Sequence, residues 1–351
     1  MRPLDADQHG GLSVTRVALA DGSSAVLRPW PTDGYRALAE ASNLLANTFR
    51  VPRHQEFSAC GRQWMAIEWI DARTALTQAD LRACYFGYGA LAATAWLLGI
   101  TDLHAENVVV SMVPYVIDAE FVLDPLSIRA PLSITSLIRP PTAAESVQST
   151  IDGPDRLRRR GTRLVDASGR VSRSKGQAVT EHRPLNEWGH PVSPEKFADD
   201  LIDGLNWAWG RLVAIGPKFF LQATRKGRHI LRPTRLYQAY LDLLDAPSVT
   251  PRDQRALNYV DDLMQRGGQA EWSNRAVAKQ EAEALARGDV PWFGWWGNGS
   301  ASGFVQARDR TDVVLEELPQ VDRASLLEAR FTSNARDRLA EELRVAVSRP
   351  L

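Results

Sequence analysis

The sequence predicts an α+β fold of two unequal lobes: a small lobe with a reduced β-sheet over residues 1–77, and a large, mainly α-helical lobe over residues 78–351. Alternating apolar and polar residues, the pattern of half-buried strands, are concentrated in the first part of the chain. Helical periodicity dominates the remainder, beginning with a long apolar run at 78–98. No internal repeat or linker composition divides the sequence, so we expect one two-lobed unit.

The small lobe is predicted to open with a β-hairpin. Period-two runs at 13–19 and 24–28 flank the sequence ADGS at 20–23, and Asp-Gly between such runs is a strong hairpin signal. Pro29 and Pro31 then end the second strand, because proline cannot donate to a β-ladder. The other elements expected in this lobe are a helix at 34–47 and a strand at 63–70.

The large lobe is predicted to be built on a buried helix at 78–98. This stretch is almost continuously apolar after Phe86, and a helix without a polar face is normally surrounded by protein. Gly99 follows as a C-cap, because glycine adopts the left-handed conformation without a steric penalty. Further helices are expected at 193–215, 235–244, 251–265, 272–287 and 322–347.

Composition excludes some classes of partner. The 42 basic and 42 acidic side chains cancel, which argues against bulk attraction to nucleic acid or to an anionic membrane. The longest apolar stretch, at 90–100, is too short to span a bilayer, and the N terminus has no apolar signal-peptide segment. We therefore expect a cytoplasmic protein that binds neither membrane nor nucleic acid.

The segment 152–180 differs from the rest of the chain in composition. Arginine and lysine recur there among Gly, Ser and Asp, and few apolar residues are present to be buried. A loop is predicted rather than a regular element. Two interpretations remain open: a solvated insertion, or a basic loop that contacts substrate or phosphate.

Three residues have the spacing of a kinase-type site. Asp102 and Asn107 are five residues apart, and Asp118 follows a predicted hairpin at 107–118. Phosphoryl transfer needs a carboxylate near the attacking hydroxyl group and oxygen ligands for Mg²⁺, and protein kinases supply them in this order. The pattern predicts a kinase-like fold in which Asp102 accepts the proton, Asn107 and Asp118 bind Mg²⁺, and Glu120 lines the nucleotide cleft. The alternative is that Asp102 and Asn107 cap a turn and Asp118 caps a helix.

A cation for the phosphates of ATP is expected on a strand of the small lobe. Arg28 is the cation best placed there, although kinases use lysine and arginine is bulkier and binds phosphate through a planar fork. No glycine-rich G-x-G-x-x-G loop precedes it; the nearest approximation is His9-Gly10-Gly11. Arg28 is thus the predicted ATP-binding cation.

The same residues resemble a known family. The runs TDLHAEN at 101–107 and PYVIDAE at 114–120 look like the dehydratase domain of class II lanthipeptide synthetases. Further similar segments, in the family's order, are DQHGGLSV at 7–14, VPR at 51–53, 64–70, RHILRPT at 228–234 and GDVPWF at 288–293. The resemblance implies a lipid-kinase-like core that phosphorylates Ser and Thr of a precursor peptide with ATP and Mg²⁺. The same site then eliminates phosphate to leave dehydroamino acids.

The resemblance also implies roles for individual residues. Asp102 corresponds to the catalytic aspartate, with His104 and Asn107 on catalytic-loop positions, and Asp118 to the metal-binding aspartate with Glu120 beside it. The remaining matches are active-site positions at Asp7 and His9 and phosphate-elimination positions at Arg228 and Thr234.

Departures from the family pattern define the alternatives. Arg28 stands where the family has lysine, and the chain carries neither the usual long N-terminal region nor a cyclase with its zinc ligands. We therefore expect a compact standalone dehydratase, with a precursor peptide as substrate and a separate cyclase or other biosynthetic enzyme as partner. The alternatives are a kinase or kinase-lyase acting on a different hydroxylated small substrate, and a nucleotide-binding pseudokinase scaffold.

Overall fold

The fold is described from a computed structural model. It describes residues 2–3, 14–29, 33–72, 76–119, 122, 131–140, 149–152, 157–158, 163–165, 171–173, 178–179, 182–224, 226–229, 234–266, 275–296, 301–308, 311–314, 321–332 and 334–349. The predicted site residues Asp7, His9 and Glu120 lie outside this set.

The N-terminal part of the chain forms a five-stranded antiparallel sheet with one helix. Its elements are β1 (Arg2–Pro3), β2 (Thr15–Ala18), β3 (Ser24–Pro29), α1 (Gly34–Leu44), β4 (His54–Ala59) and β5 (Arg62–Glu68), with strand order β1-β2-β3-β5-β4. The predicted hairpin is confirmed, with Thr15 opposite Leu27 and Ala18 opposite Ser24. In its turn, the Asp21 carboxylate accepts a 2.9 Å hydrogen bond from the Ser23 amide.

Strand β4 was not predicted from the sequence. It forms the edge of the sheet and is largely exposed, so it lacks the apolar alternation of a half-buried strand. A two-residue turn with positive φ at both positions, Cys60 (52°) and Gly61 (71°), connects β4 to β5. Turns of this kind match the twist of antiparallel strands and fix their register. Here His54 lies opposite Ile67 and Ala59 opposite Arg62.

Helix α2 (Gln78–Leu98) is the centre of the main hydrophobic core, as predicted. Thr77 and Asp80 form a capping box at its start, in which each side chain accepts from the other residue's backbone N–H. Gly99, with φ of 60°, ends the helix in the left-handed conformation. Burial raises the pKa of the Cys84 thiol far above its usual range, so this cysteine is an inert core residue.

Helix α3 (Ala198–Ile215) crosses α2 at backbone contact distance. A Cβ atom on Gly89 of α2 would lie 1.9 Å from the Leu201 carbonyl oxygen, and one on Gly204 of α3 would lie 2.0 Å from the Phe86 carbonyl oxygen. Each helix therefore presents glycine where the other presents main chain. This reciprocal arrangement permits the close approach of the two helix backbones.

A short hairpin follows α2 and contacts the small lobe. It consists of β6 (Val108–Ser111) and β7 (Val113–Val116), with Met112 at φ 70° in the connection. Arg50 pairs with β7 in parallel: its N–H donates to the Pro114 carbonyl at 2.8 Å, and its carbonyl accepts from Val116 N–H at 2.9 Å. The hairpin is thereby hydrogen-bonded to the segment that precedes β4.

The basic segment contains short strands, so the prediction of a loop without regular elements was wrong. Strands β8 (Leu157–Arg158) and β11 (Ala178–Val179) enclose β9 (Arg163–Val165) and β10 (Val171–Arg173), forming two nested antiparallel ladders. Pairing along such a hairpin satisfies backbone groups locally and needs no hydrophobic core. The small number of apolar residues therefore did not exclude strands.

The C-terminal part is mainly helical but includes a sheet that was not predicted. Its elements are α4 (Pro217–Ala223), β12 (Lys226–His229), α5 (Thr234–Asp245), α6 (Arg252–Arg266), α7 (Arg275–Ala286), β13 (Phe293–Trp296), β14 (Ala301–Arg308), β15 (Thr311–Val314), β16 (Val321–Asp322), α8 (Arg323–Phe331) and α9 (Ala335–Val347). The strands run in the order β12-β13-β14-β15, with β16 also paired to β14. The single helix predicted at 322–347 is two helices, and Asn334 occupies the N-cap position of the second.

The α+β class and the two-lobed layout are confirmed. Helices α5, α6 and α7 bury a second hydrophobic cluster, distinct from the one around α2. The boundary at residues 77 and 78 stays a prediction. Within the part of the chain that the structure describes, no helix combines the length and apolar character needed to cross a bilayer.

The contact between α2 and α3 can be tested with two glycines of the same helix. Gly204→Ala places a methyl group into the Phe86 carbonyl and should lower the free energy of unfolding by about 3 kcal/mol. Gly210→Ala meets no heavy atom within 4 Å, so it should instead stabilise the helix by about 0.5–1 kcal/mol. Chemical denaturation of both variants measures the difference; equal effects would contradict the close crossing.

Candidate functional site

The loop between α2 and β6 is anchored through the backbone of Leu103. This residue is fully buried; its N–H donates to the Thr135 carbonyl at 2.8 Å, and its carbonyl accepts from the Thr150 hydroxyl at 2.5 Å. The flanking side chains remain accessible, because Asp102 is 46% exposed and His104 is 25% exposed. The buried Leu103 thus presents the two predicted catalytic side chains at the surface of the large lobe.

Asp102 adopts an uncommon backbone conformation that Asn107 supports. Its φ of 66° lies in the left-handed region, which costs a non-glycine residue about 1 kcal/mol. The Asn107 Nδ2 donates to the Asp102 carbonyl oxygen at 2.7 Å and approaches its Oδ2 at 3.4 Å. This bond holds the conformation and directs the other end of the Asn107 amide, the oxygen Oδ1, away from Asp102.

His104 is oriented by its own loop. The Glu106 N–H donates to His104 Nδ1 at 3.2 Å, which in the neutral ring leaves the proton on Nε2. Nε2 lies 3.6 Å from Asp102 Oδ1. In this tautomer the 3.4 Å contact of His104 Nε2 with Asn107 Nδ2 joins two donors and is not a hydrogen bond. His104 therefore lies beside the Asp102 carboxylate, with Nε2 beyond hydrogen-bond distance of Oδ1.

Asp118 lies next to Asn107 across the base of the β6–β7 hairpin. The Asn107 carbonyl accepts from the Ile117 N–H at 2.9 Å and, at 3.4 Å, from the Asp118 N–H. Asn107 and Asp118 are eleven residues apart in the sequence, and the antiparallel pairing of β6 with β7 brings them together. The backbones of Asn107 and Asp118 therefore lie side by side.

Arg28 forms a two-point ion pair with Asp118. Its Nη1 donates to Asp118 Oδ1 and its Nη2 donates to Asp118 Oδ2, each at 2.6 Å. The Arg28 side chain is 9% exposed and that of Asp118 is 25% exposed. The predicted phosphate-binding cation and the predicted metal ligand therefore contact each other directly, 90 residues apart in the chain. Parallel contacts of this kind are among the strongest ion pairs in proteins.

Helix α1 holds the residues on either side of Asp118. The Tyr35 hydroxyl donates to the Ile117 carbonyl at 2.5 Å. A Cβ atom on Gly34 would lie 2.0 Å from the Ala119 carbonyl oxygen, so only glycine allows this approach. With Arg28, the small lobe contacts three consecutive residues of the large lobe, and the position of Asp118 depends on both lobes.

The predicted elimination residues lie on a different set of elements. Arg228 is in β12, opposite Gly294 of β13, and Thr234 is the first residue of α5. The strand pair places His229 opposite Phe293, so the start of one predicted motif meets the end of another that is distant in sequence. The side chains of Arg228 and Thr234 lie outside the described part of the structure, so their predicted roles stay predictions.

A hydrogen bond between buried side chains fixes the helix that follows. The Tyr237 hydroxyl of α5 donates to the Glu281 carboxyl group of α7, and both side chains are fully buried. Tyr237 is one turn along α5 from Thr234. The start of α5 is therefore held by α7, and β13 follows α7 in the chain.

A contact between α1 and α4 connects the two parts of the site. The Arg36 guanidinium donates to the Gln222 carbonyl at 3.1 Å. Arg36 directly follows Gly34 and Tyr35, the residues that contact 117–119. Arg228 follows Gln222 by six residues, so the chain can separate them by at most about 20 Å. The contact therefore limits how far Arg228 can lie from α1.

Comparison with protein families identifies the chain. The family described as a domain of unknown function, DUF4135, matches residues 3–188 and 170–295. The chain belongs to the DUF4135 family. The two matched segments contain the Asp102–Asp118 set and the Arg228–Thr234 set respectively, so both parts of the candidate site fall inside the family. The comparison with curated proteins found no match.

The donor atoms of this DUF4135 domain fit magnesium. Asp118 and the Asn107 amide could supply oxygen ligands, which Mg²⁺ prefers. Among the described residues, no group of three or more His, Cys, Asp or Glu side chains could hold a metal ion alone. Mg²⁺ in phosphoryl-transfer sites is typically held by one or two carboxylates together with substrate phosphates, which matches this set.

Several supporting residues of the DUF4135 site were not found from sequence. Tyr35, Thr135 and Thr150 act through backbone carbonyls or hydroxyl groups, and such partners leave no spacing signal. Tyr237 and Glu281 are 44 residues apart, so a single sequence gives no indication that they form a hydrogen bond. The Arg28–Asp118 ion pair did leave a signal in the sequence, because two residues of opposite charge were assigned to the same cleft.

The link between α5 and α7 can be tested with two tyrosines. Tyr237→Phe removes a hydrogen bond to a buried carboxyl group and should lower the free energy of unfolding by about 1–3 kcal/mol. Tyr259→Phe on α6 removes a hydroxyl group that makes no hydrogen bond among the described residues, and should change it by less than about 0.5 kcal/mol. Equal destabilisation in denaturant titrations would argue against the link.

Proposed function

We propose that this DUF4135 domain is a kinase-lyase that phosphorylates Ser or Thr of a peptide with ATP and then eliminates the phosphate to give a dehydroamino acid. The observation that carries the proposal is the convergence of Asp102, Asn107 and Asp118 on one loop-hairpin unit, with Arg28 reaching it from the small lobe. The lanthipeptide-dehydratase resemblance supports the second step.

In the phosphorylation step, Asp102 accepts the proton of the substrate hydroxyl group. The hydroxyl oxygen forms a bond to the terminal phosphorus of ATP while the bond from that phosphorus to ADP breaks. Asp102 suits the role because its carboxylate is accessible and its backbone is held by Asn107 and Leu103. The proposed role of His104 is to position that carboxylate, because its Nε2 lies 3.6 Å from Asp102 Oδ1.

Asn107 and Asp118 are the proposed Mg²⁺ ligands. When bound, Mg²⁺ neutralises charge on the ATP phosphates as the phosphoryl group transfers. Asn107 offers Oδ1 because its Nδ2 is occupied by the Asp102 carbonyl. Arg28 is the proposed phosphate-binding cation, and Glu120 would line the same cleft.

In the elimination step, a base removes the α-proton of the phosphorylated residue. The electrons form a carbon–carbon double bond as the Cβ–O bond breaks, and the phosphate leaves with its bonding pair. Arg228 is the proposed cation for the departing phosphate, and Thr234 the hydroxyl group that orients it. Asp7 and His9 are the further residues proposed for this site on the resemblance.

A precursor peptide is the proposed substrate. A separate cyclase or other biosynthetic enzyme is the proposed partner, because dehydroamino acids are electrophiles that a second enzyme can combine with thiols. A kinase or kinase-lyase acting on a different hydroxylated small molecule would use the same residues.

A nucleotide-binding scaffold is the second candidate. It is favoured by the direct contact of Arg28 with Asp118, because this contact engages both the predicted phosphate cation and the predicted metal ligand. Such a scaffold would bind ATP and leave a peptide or other hydroxylated substrate unchanged.

The proposal predicts a mass change in a substrate peptide. Incubation with ATP, Mg²⁺ and a Ser/Thr-containing peptide encoded beside this chain should cause the loss of one water per modified residue. Asp102→Asn should slow the reaction by about 100- to 10,000-fold, because the amide cannot accept the proton. Asparagine tolerates positive φ, so the fold should persist. Nucleotide binding without any change in peptide mass would favour the scaffold.

Arg228→Met separates the two steps. Without a cation for the departing phosphate, elimination should slow by about 100-fold or more while phosphorylation continues. Intact mass should then show a peptide that gains phosphate and retains it. A variant that produces neither phosphopeptide nor dehydrated peptide would place Arg228 in the first step instead.

A further inference from the structure

We propose that a groove at one end of the small lobe's sheet binds an extended peptide segment and holds one of its carboxylates on Arg16. The groove has a volume of about 540 Å³ and lies between the β2–β3 turn and residues 53–55 and 66–69. None of the described residues assigned above to phosphoryl transfer or elimination lines it. The inference is therefore independent of the proposed catalytic function.

The shape of the groove suits an extended chain. Its lining residues come from four neighbouring strands, with Arg16 on β2, Ala25 on β3, Ile67 on β5 and Gln55 on β4. These strands lie side by side in the order β2-β3-β5-β4, and three spacings between neighbouring strands make about 14 Å. An extended chain rises about 3.4 Å per residue, so a segment of about four residues covers this width. The groove is thus much longer than a single carboxylate needs.

The two arginines that line the groove differ in their partners. The Arg53 guanidinium donates to both Glu68 carboxylate oxygens, at 3.1 Å through Nε and at 2.9 Å through Nη2. The Arg16 guanidinium forms no ion pair with a carboxylate of the described part of the chain. Its hydrogen-bond partner there is the Ser24 hydroxyl group, at 3.1 Å. Arg16 therefore keeps most of its five N–H donors for a ligand.

Arg16 is held in position before a ligand binds. Its guanidinium lies over the Trp69 ring, with Cζ 3.9 Å from the ring centroid. The Trp69 indole N–H donates to the Asp71 carboxylate at 2.8 Å, which fixes the ring. Ser24, Trp69 and Asp71 all line the groove, so the guanidinium is held at its surface. A planar fork fixed in this way loses little rotamer freedom when it donates two parallel hydrogen bonds to a carboxylate.

The charges around Arg16 limit how many carboxylates the segment can carry. The guanidinium groups of Arg16 and Arg53 are balanced by the carboxylates of Glu68 and Asp71, so these four lining side chains have no net charge. One ligand carboxylate is attracted at Arg16, whose donors are available. A run of carboxylates would also approach Glu68 and Asp71 and be repelled by them. The ligand that fits is therefore a peptide of mixed polarity with a single Asp or Glu.

A peptide titration followed by nuclear magnetic resonance tests the groove on the purified full chain, without ATP or Mg²⁺. The probe is acetyl-Gly-Ser-Glu-Ser-Gly-amide, whose blocked ends leave one carboxylate. Its binding should shift the Trp69 indole N–H resonance, which is identified by its absence from Trp69→Phe. The matched peptide with Gln in place of Glu should bind about five- to tenfold more weakly, because it cannot accept two charge-assisted hydrogen bonds from Arg16.

Two arginine variants locate the charged contact. Arg16→Met should bind the Glu and Gln peptides equally, because the guanidinium is gone. Arg50→Met loses the same charge from an exposed arginine outside the groove's lining, so it should keep the preference for the Glu peptide. If circular dichroism shows that Arg16→Met is unfolded, Arg16→Gln replaces it, since glutamine can still donate to the Ser24 hydroxyl group. A neutral residue at position 16 that preserves the preference overturns the proposal.

Two further ligands separate a peptide groove from a general anion site. Hexaglutamate with blocked ends should bind no more tightly than the single-Glu peptide, and sodium acetate at the same carboxylate concentration should not displace that peptide. Affinity that rises with the number of carboxylates, or acetate that competes as well as the peptide, overturns the proposal, and so does an unshifted Trp69 resonance. The kinase-lyase proposal is decided separately, by the change in peptide mass on incubation with ATP.

Discussion

The candidate site depends on the burial of Leu103 between two hydrogen bonds. Its N–H and carbonyl are both satisfied inside the large lobe, so the chain leaving α2 is anchored at this residue. Asp102, immediately before it, adopts a positive φ, which the Asn107 amide then supports. Strain of this kind persists only where the surroundings over-determine it, and buried contacts on both sides of Asp102 do so here.

A second constraint couples the lobes. The small lobe contacts residues 117–119, which follow β7. The contacts are made by the Tyr35 hydroxyl, the Arg28 guanidinium and the backbone of Gly34. A movement of α1 or β3 would therefore shift Asp118 relative to Asp102. In kinase-like sites, closure of one lobe on the other assembles the reacting groups, and here the contact is made by side chains that also have predicted roles in ligand binding.

Local patterns predicted the parts of the fold that depend on local physics. The β2–β3 hairpin follows from Asp-Gly turn chemistry, and α2 follows from its apolar run and from Gly99. Edge strand β4 was not predicted, because an exposed strand lacks the alternation of apolar and polar residues. The β12–β15 sheet was not predicted, because β12 pairs with a strand that is distant in the sequence. Spacing indicated Asp102, Asn107 and Asp118 as one set, but it could not show that Arg28 contacts Asp118, since that contact exists only once β3 is placed over the hairpin.

The arginine at position 28 has a physical consequence that a lysine would not. A lysine ammonium is a single charged point that can lie between a carboxylate and a phosphate and attract both. The guanidinium presents two parallel donors, and Asp118 accepts from both at 2.6 Å each. A lysine at position 28 would offer Asp118 a single charged point, whereas the arginine makes two parallel contacts that also set the orientation of the carboxylate. The arginine therefore ties β3 to the segment that follows the β6–β7 hairpin more specifically than a lysine would.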